Sequence, residues 1–357
     1  MADRNTPRLE SLDALRGLDA ALIIGMGTAL WHVHTACPSD FWNEVRYHMG
    51  HAEWEGLRVY DLIFPLFVFL SGISMNFSVR KRLGMGASTP RLLLHLWWRA
   101  VLLVIFGILV NGPLIWDAGV IRCASVLGLI GIAGALAGSI VLAIKKTWGI
   151  LLVAALIPVS VFLMQYLGGD MTITGCYNAK VDAAICPGKL YYTYIDPEGP
   201  LCILSATALA LGGYLIGRLF SGSITNTRRI FSMLGIGAVA IALGQLGPCI
   251  KNIWTPCFVL LSFGISTVLM AIFHLIIDVW RFGVWAWPFK IIGNNALFIY
   301  LLTHVIAFGE LTGRIFGGTI AKTVPQDWAG FAYNMAYFLL AWLLCLLLYK
   351  HRIFVKV

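Results

Sequence analysis

The sequence predicts an all-α, polytopic integral membrane protein of about ten transmembrane helices, with both termini cytoplasmic. Three observations predict it. The 357-residue chain is 59% hydrophobic and only 12% charged, with a mean hydropathy of +0.82, which excludes an ordinary soluble domain. Apolar runs of about 20 residues, the length that crosses a bilayer, recur along the chain. Basic residues gather at alternate connections between those runs. In a soluble protein the formal charge of +9 would point to nucleic acid. Here topology accounts for it, and no nucleic-acid partner is expected.

By the length criterion, ten spans fall near 14–35, 57–79, 92–113, 119–144, 148–167, 200–220, 229–247, 255–277, 287–308 and 330–349, in one domain over 1–357. The fourth is interrupted early by Arg122, and the ninth carries Asn294, Asn295 and His304. The polar, basic opening MADRNTPRLESLDALRG runs straight into the first span, so no cleavable signal is expected. One set of span ends carries Arg4, Arg8, Arg16, Arg80, Lys81, Arg82, Arg91, Lys145, Lys146, Arg228, Arg229, Arg281, Lys290, Lys350, Arg352 and Lys356. The other has only scattered cations, among them Arg46, Arg58, Lys180 and Lys251. The first set is assigned to the cytoplasm.

The stretch from His51 to Gly72 organises the rest. It begins His51-Ala-Glu-Trp54-Glu and becomes an apolar run holding Asp61 and Pro65. An acid and a proline are costly in a helix facing lipid, so they belong where it faces protein or water. Spacing alone favours a loop histidine before an ordinary kinked span; the sharper reading is a catalytic histidine at the outer face. The outer connections are rich in Trp and Tyr, including Trp254, and the longest ends in Asp196-Pro-Glu198-Gly. Such aromatics are usually interfacial belts, yet aromatic faces with a few carboxylates also suit a sugar. On the inner side Arg16 and Arg99 either snorkel or hold an anionic ligand such as a nucleotide phosphate. The HxH and HxxH spacings of His32, His34, His48 and His51 hint at a metal. No carboxylate or thiol completes a recognisable set, so no metal is expected.

Several stretches resemble the heparan-α-glucosaminide N-acetyltransferase family, within a broader group of transmembrane acyltransferases. Arg8-Leu-Glu-Ser-Leu-Asp-Ala-Leu-Arg-Gly17 is similar to that family's opening motif, and His51-Ala-Glu-Trp-Glu-Gly-Leu-Arg-Val-Tyr-Asp-Leu-Ile-Phe-Pro65 to its histidine-to-proline motif. Arg99 with Phe106-Gly107 and Asn111-Gly112, Asp196-Pro-Glu-Gly199, Asn252 to Pro256, and Asp278 with Gly293-Asn-Asn-Ala296 and His304 follow in the family's order. Gly27 stands where the family often has an asparagine. Val126-Leu-Gly-Leu129 and Gly293-Asn-Asn295 depart from its pattern as well.

The resemblance implies an acetyl-CoA-dependent acetyltransferase, acting on the amino group of a glucosamine-type sugar or glycan at the outer face. His51 would be the catalytic histidine. Arg16, Arg99, Asn294, Asn295 and His304 would hold acetyl-CoA, and Trp54, Asp196, Glu198 and Trp254 would face the sugar. Asp61 either anchors its span or orients His51. A histidine suits base catalysis of thioester aminolysis and equally suits carrying the acetyl itself. The resemblance also implies a bacterial-type member without a large luminal domain, in the cytoplasmic (inner) membrane. Its partners would be acetyl-CoA, the amino sugar and the bilayer, with a homodimer left open. A sugar or anion transporter and an O-acetyltransferase of an exported glycan are the alternatives. Outside the cytoplasm disulfides persist, so Cys176–Cys186, and secondarily Cys37–Cys249, are expected to pair.

Overall fold

The structure is a computed structural model that describes residues 9–112 and 121–355. Arg4, Arg8, Lys356 and the first residues of the predicted fourth span lie outside the described residues. In chain order the helices are α1 (Glu10–Ala36), α2 (Asp40–His48), α3 (Val59–Gly84), α4 (Thr89–Asn111), α5 (Val126–Ala143), α6 (Thr147–Gly168) and α7 (Tyr177–Ile185). They continue as α8 (Pro200–Ser221), α9 (Asn226–Gly244), α10 (Pro256–Val279), α11 (Trp287–Gly293), α12 (Ala296–Val305), α13 (Phe308–Thr323) and α14 (Gln326–Lys350). Among the described residues nine are long and apolar enough to cross a membrane, and α12 with α13 makes a bent tenth. The protein is an all-α polytopic membrane protein.

Local chemistry sets the helix ends. The Ser125 hydroxyl accepts the Gly128 N–H at 3.0 Å and starts α5. Thr255 caps α10 in the same way, with Pro256 at the first helical position. At the centre α3 packs on α8 through glycine contacts. A Cβ at Gly72 would strike the Ala210 carbonyl, and one at Gly213 the Phe69 carbonyl. Small residues that let backbones approach are how membrane helices gain packing without a hydrophobic drive. Around this centre α4, α6 and α14 turn apolar side chains such as Trp98, Leu167 and Leu343 outward, as lipid-facing helices do.

The connections sort onto two faces. On one, Ser11 donates to Asp278, which also meets His274 Nδ1 at 2.9 Å, and Lys290 donates to Glu10 at 2.6 Å. Arg80, Lys81 and Arg82 belong to this basic face, at the end of α3. On the other, the segments before α3, α5, α8 and α10 meet one another. Gly56 N–H donates to the Cys249 carbonyl at 2.8 Å, Trp54 Nε1 to the Met171 carbonyl at 2.7 Å, and Lys189 N–H to the Ile121 carbonyl at 3.0 Å.

Three expectations need correction. Arg122 does not interrupt a span, because α5 begins only at Val126 and Arg122 lies in an extended segment bridged to Gly188. The predicted ninth span is not one helix: α11 ends at Gly293, α12 at Val305, and the chain then turns by 84° into α13. The asparagines at the break bond elsewhere, Asn294 Nδ2 to the Lys290 carbonyl and Asn295 to the backbone of Ile353 and Val355. Finally, all eight cysteines are free. Cys176 and Cys186 cap opposite ends of the nine-residue α7, and such a helix separates its ends by roughly 13 Å. A disulfide needs Cα atoms within about 7 Å. Cys37 and Cys249 are likewise unbonded.

Candidate functional site

The segment before α3 folds around one carboxylate. Asp61 is fully buried, and its Oδ2 accepts the backbone N–H groups of Ala52 at 3.1 Å and Arg58 at 3.0 Å. This closes the turn that carries His51 and leaves Oδ1 for side chains. His51 Nδ1 lies 2.8 Å from Oδ1, and Lys251 Nζ lies 3.0 Å from the same oxygen and 2.8 Å from Nδ1. A carboxylate oxygen has two acceptor sites and serves both donors. With Nδ1–H donating to Asp61, the lone pair sits on Nε2. The His51 side chain is 54% exposed, so the ring is held from behind and open in front. Burial pulls the Lys251 ammonium below its ordinary range, and the nearby Asp61 opposes that only in part.

A second cluster hangs from the segment before α8. Arg122 donates to both Asp196 oxygens, at 2.7 and 2.6 Å, and to Glu198, while its guanidinium lies 4.7 Å from the centre of the Tyr191 ring. Two carboxylates on one arginine cannot be equally satisfied. Burial raises both; at Asp196 the Arg122 bonds outweigh it, so that carboxyl stays below its ordinary range. At Glu198 burial prevails over Arg122, with the neighbouring Asp196 adding to it, and the carboxyl is pushed up to about 7. Beneath them Asp182 accepts the Asp196 N–H at 2.9 Å, and burial pushes it up to about 6. Glu198 is close enough for its charge to act on Lys251, so the clusters belong to one face.

Between this face and the basic one lies an apolar slot of about 50 Å³, bordered by Ala20, Ile23, Phe64, Phe67, Leu127 and Tyr300. Phe64 follows Asp61 by three residues, and the charges of Glu198 and Arg122 reach Tyr300. Phe64 and Tyr300 thus bring the wall of the slot near both clusters. About one turn before Ala20 on α1, Arg16 donates to Ser74 at 2.6 Å, and its charge, with that of Arg82, acts on Arg99.

The remaining expected residues are dispersed. Trp54 borders an open pocket of about 380 Å³ with Glu53, Glu55 and Thr172. Trp254 is 1% exposed, its ring packed edge-on between Phe64 and Phe258; it lies inside the apolar core, with no face open to a sugar. His304 caps its own helix through the Tyr300 carbonyl at 2.8 Å. Asn294 and Asn295 sit at the α11–α12 break. Two residues central to the geometry were not singled out as site residues from sequence, Arg122 and Lys251. By sequence Arg122 falls inside an apolar run as an interruption of a span. Lys251 was one of several scattered outer cations, and only the fold brings it to Asp61, 190 positions away.

Residues 8–180 match the family described as heparan-alpha-glucosaminide N-acetyltransferase, catalytic. The human protein named heparan-alpha-glucosaminide N-acetyltransferase is 25% identical over 364 residues, covering 83% of this chain and 52% of its own length. Its mouse counterpart is 24% identical over 370 residues, covering 84% and 54%. The first half of the chain thus resembles this family. The chain spans about half the length of the curated relatives it matches. His51, Asp61, Arg16 and Arg99 fall within the stretch matched to the heparan-alpha-glucosaminide N-acetyltransferase family, as does Arg122. At Gly27, a Cβ would lie 2.9 Å from the Tyr60 ring. That ring packs 5.0 Å from His51, so Tyr60 stands between α1 and the histidine.

Proposed function

We propose that the protein is a transmembrane acetyltransferase that moves an acetyl group from acetyl-CoA at the basic, cytoplasmic face to the amino group of a glucosamine-type sugar at the opposite face. One observation carries this reading: a half-exposed imidazole fixed through Nδ1 by a buried carboxylate. Asp61 holds the tautomer and leaves Nε2 to act. His51 Nε2 takes a proton from the sugar amine as its nitrogen bonds to the thioester carbon. The C–S bond breaks, the sulfur leaves as thiolate, and the imidazolium returns the proton to it. The same exposed Nε2 could attack the thioester first and hand the acetyl to the amine.

Arg16 and Arg99, joined by Arg82, supply guanidinium groups for the phosphates of CoA. Glu198 would receive the sugar's amino group, and Trp54 would offer an aromatic edge. Asp196, expected to face the sugar, is fully buried with both oxygens bonded to Arg122 and to backbone N–H groups, so it holds Arg122 in place instead. A hydrocarbon core of about 30 Å separates the two sites, and the apolar slot is the route for the thioester arm. Ligand pockets run to roughly 300–1,000 Å³. The slot must therefore widen, and Phe64 and Phe67 are the side chains that would have to move. The deciding experiment incubates the purified protein with acetyl-CoA and a panel of amino sugars, and reads acetylated products by mass. N-acetylated sugar supports the reading. An ester product would make it an O-acetyltransferase. A protein that neither binds nor consumes acetyl-CoA would return it to the transporter class.

A further inference from the structure

Asp19 lies within the first spanning helix, near enough to Arg16 to feel its charge but not hydrogen-bonded to it. Asp19 is 1% exposed, and among the described residues no group donates a hydrogen bond to either of its carboxylate oxygens. A buried carboxylate without donors is costly, and ionisable groups at membrane depth characteristically mark the path of a substrate or ion. Its position on α1 indicates what passes. Residues three and four apart share a helix face, so Arg16, Asp19, Ala20 and Ile23 follow one another along one side. Arg16 belongs to the cationic end, and Ala20 and Ile23 border the apolar slot. Asp19 is thus one turn beyond Arg16 and directly before the first slot residue of α1, Ala20. Just past it α1 is distorted into a π turn over Leu22–Met26, with Gly25 at φ 120°, a distortion frequent at functional sites.

We propose that Asp19 positions the donor by accepting a hydrogen bond from the pantoate end of the pantetheine arm, its hydroxyl or the amide N–H next to it. This rests on the acetyl-CoA reading above. With the phosphates at Arg16 and the thioester at His51, the pantoate unit is the part of the arm nearest the phosphates. It therefore arrives first beyond the arginines. It also carries donors, which the apolar walls of the slot do not require and a carboxylate without donors does. Asp19 is a positioning residue and takes no part in bond making.

The test compares three donors: acetyl-CoA, acetyl-pantetheine, and S-acetyl-N-acetylcysteamine, which keeps the thioester but lacks the pantoate unit. Losing a hydrogen bond to a charged group weakens binding about 10- to 100-fold. Asp19→Leu should raise KM for the first two donors by that factor and leave KM for the third unchanged, while kcat on all three stays within about twofold. Asp19→Asn keeps an acceptor oxygen and should recover most of the affinity. Melting temperature checks that both variants fold; if Asp19→Leu does not, Asp19→Asn and Asp19→Ser are compared on the same donors. A KM change of equal size on all three donors, or on none, overturns the role of Asp19 with acetyl transfer intact. No transfer by the unaltered protein from any donor overturns the acetyl-CoA reading itself.

Discussion

Lys251 and His51 converge on one atom: Nζ lies 3.0 Å and Nδ1 2.8 Å from Asp61 Oδ1. The first relation ties the segment before α10 to the turn before α3, and the second fixes the histidine. Removing the imidazole leaves the tie in place. His51→Ala should therefore fold and bind acetyl-CoA as the parent does, while turnover falls by at least about 10²-fold, the lower range for a positioned base. His48→Ala and His34→Ala should change turnover far less. A His51→Ala protein acetylating sugar at the parent rate would refute the mechanism.

Lys251 separates anchoring from chemistry. Its side chain is 19% exposed and the Asp61 side chain 0%. Breaking a buried pair by removing one partner costs about 3–5 kcal/mol, since the other charge is left uncompensated. Here His51 and two backbone N–H groups still serve Asp61, so Lys251→Met should cost less, about 1–3 kcal/mol, seen as a lowered melting temperature. An unchanged melting temperature would mean that the ion pair adds nothing to stability.

Most of the membrane architecture was legible because its signals are local. Apolar length locates nine long helices, and the histidine-to-proline stretch singles out His51 and Asp61 while leaving open whether Asp61 anchors its span or orients the histidine. What escaped depends on contacts distant in sequence. Lys251 reaches Asp61 only when the segments before α3 and α10 meet. The apolar residues around Arg122 draw it into a span, although the carboxylates of Asp196 and Glu198 hold it outside. The ninth span failed at Asn294 and Asn295, whose bonds to the Lys290 carbonyl and to the C-terminal segment favour a break over a continuous helix. The Cys176–Cys186 pairing failed because loop spacing cannot reveal that the residues between form a helix.

Topology is open to direct labelling. With Lys81 and Lys146 at the basic face and Lys180 at the other, single cysteines at these positions in a cysteine-free background should sort by side. Impermeant reagent added outside should label position 180 and spare 81 and 146. Labelling of position 180 only after the membrane is opened would reverse the orientation and put His51 on the donor side.

The donor site predicts a split in affinities. Arg16→Ala and Arg99→Ala should each weaken acetyl-CoA binding about 10-fold or more, because each removes a charge-assisted contact to phosphate. Affinity for the amino sugar should not change. Calorimetric titration of each ligand measures both. Undiminished acetyl-CoA binding in both variants would move the phosphates away from these arginines.

The acceptor cluster predicts a pH signature at Glu198. Burial, reinforced by Asp196 and opposed by Arg122, raises its carboxyl from about 4.5 to about 7. Between those values the folded protein keeps a proton that the unfolded chain has released. Stability therefore falls as pH rises through that window and levels off above it. Glu198→Gln carries no such proton, so its stability relative to the parent should improve over the same window, by on the order of 1 kcal/mol or more. Binding moves the opposite way. Only the ionised carboxylate attracts an amino sugar as a cation, so KM for the sugar should drop as pH rises toward and past about 7 in the parent. Glu198→Gln should lose the part of that dependence contributed by Glu198, leaving the part due to the sugar amine. Melting curves and KM values taken across the window for both proteins provide the comparison. Parallel profiles would show that Glu198 does not titrate there and that Arg122 keeps it ionised throughout.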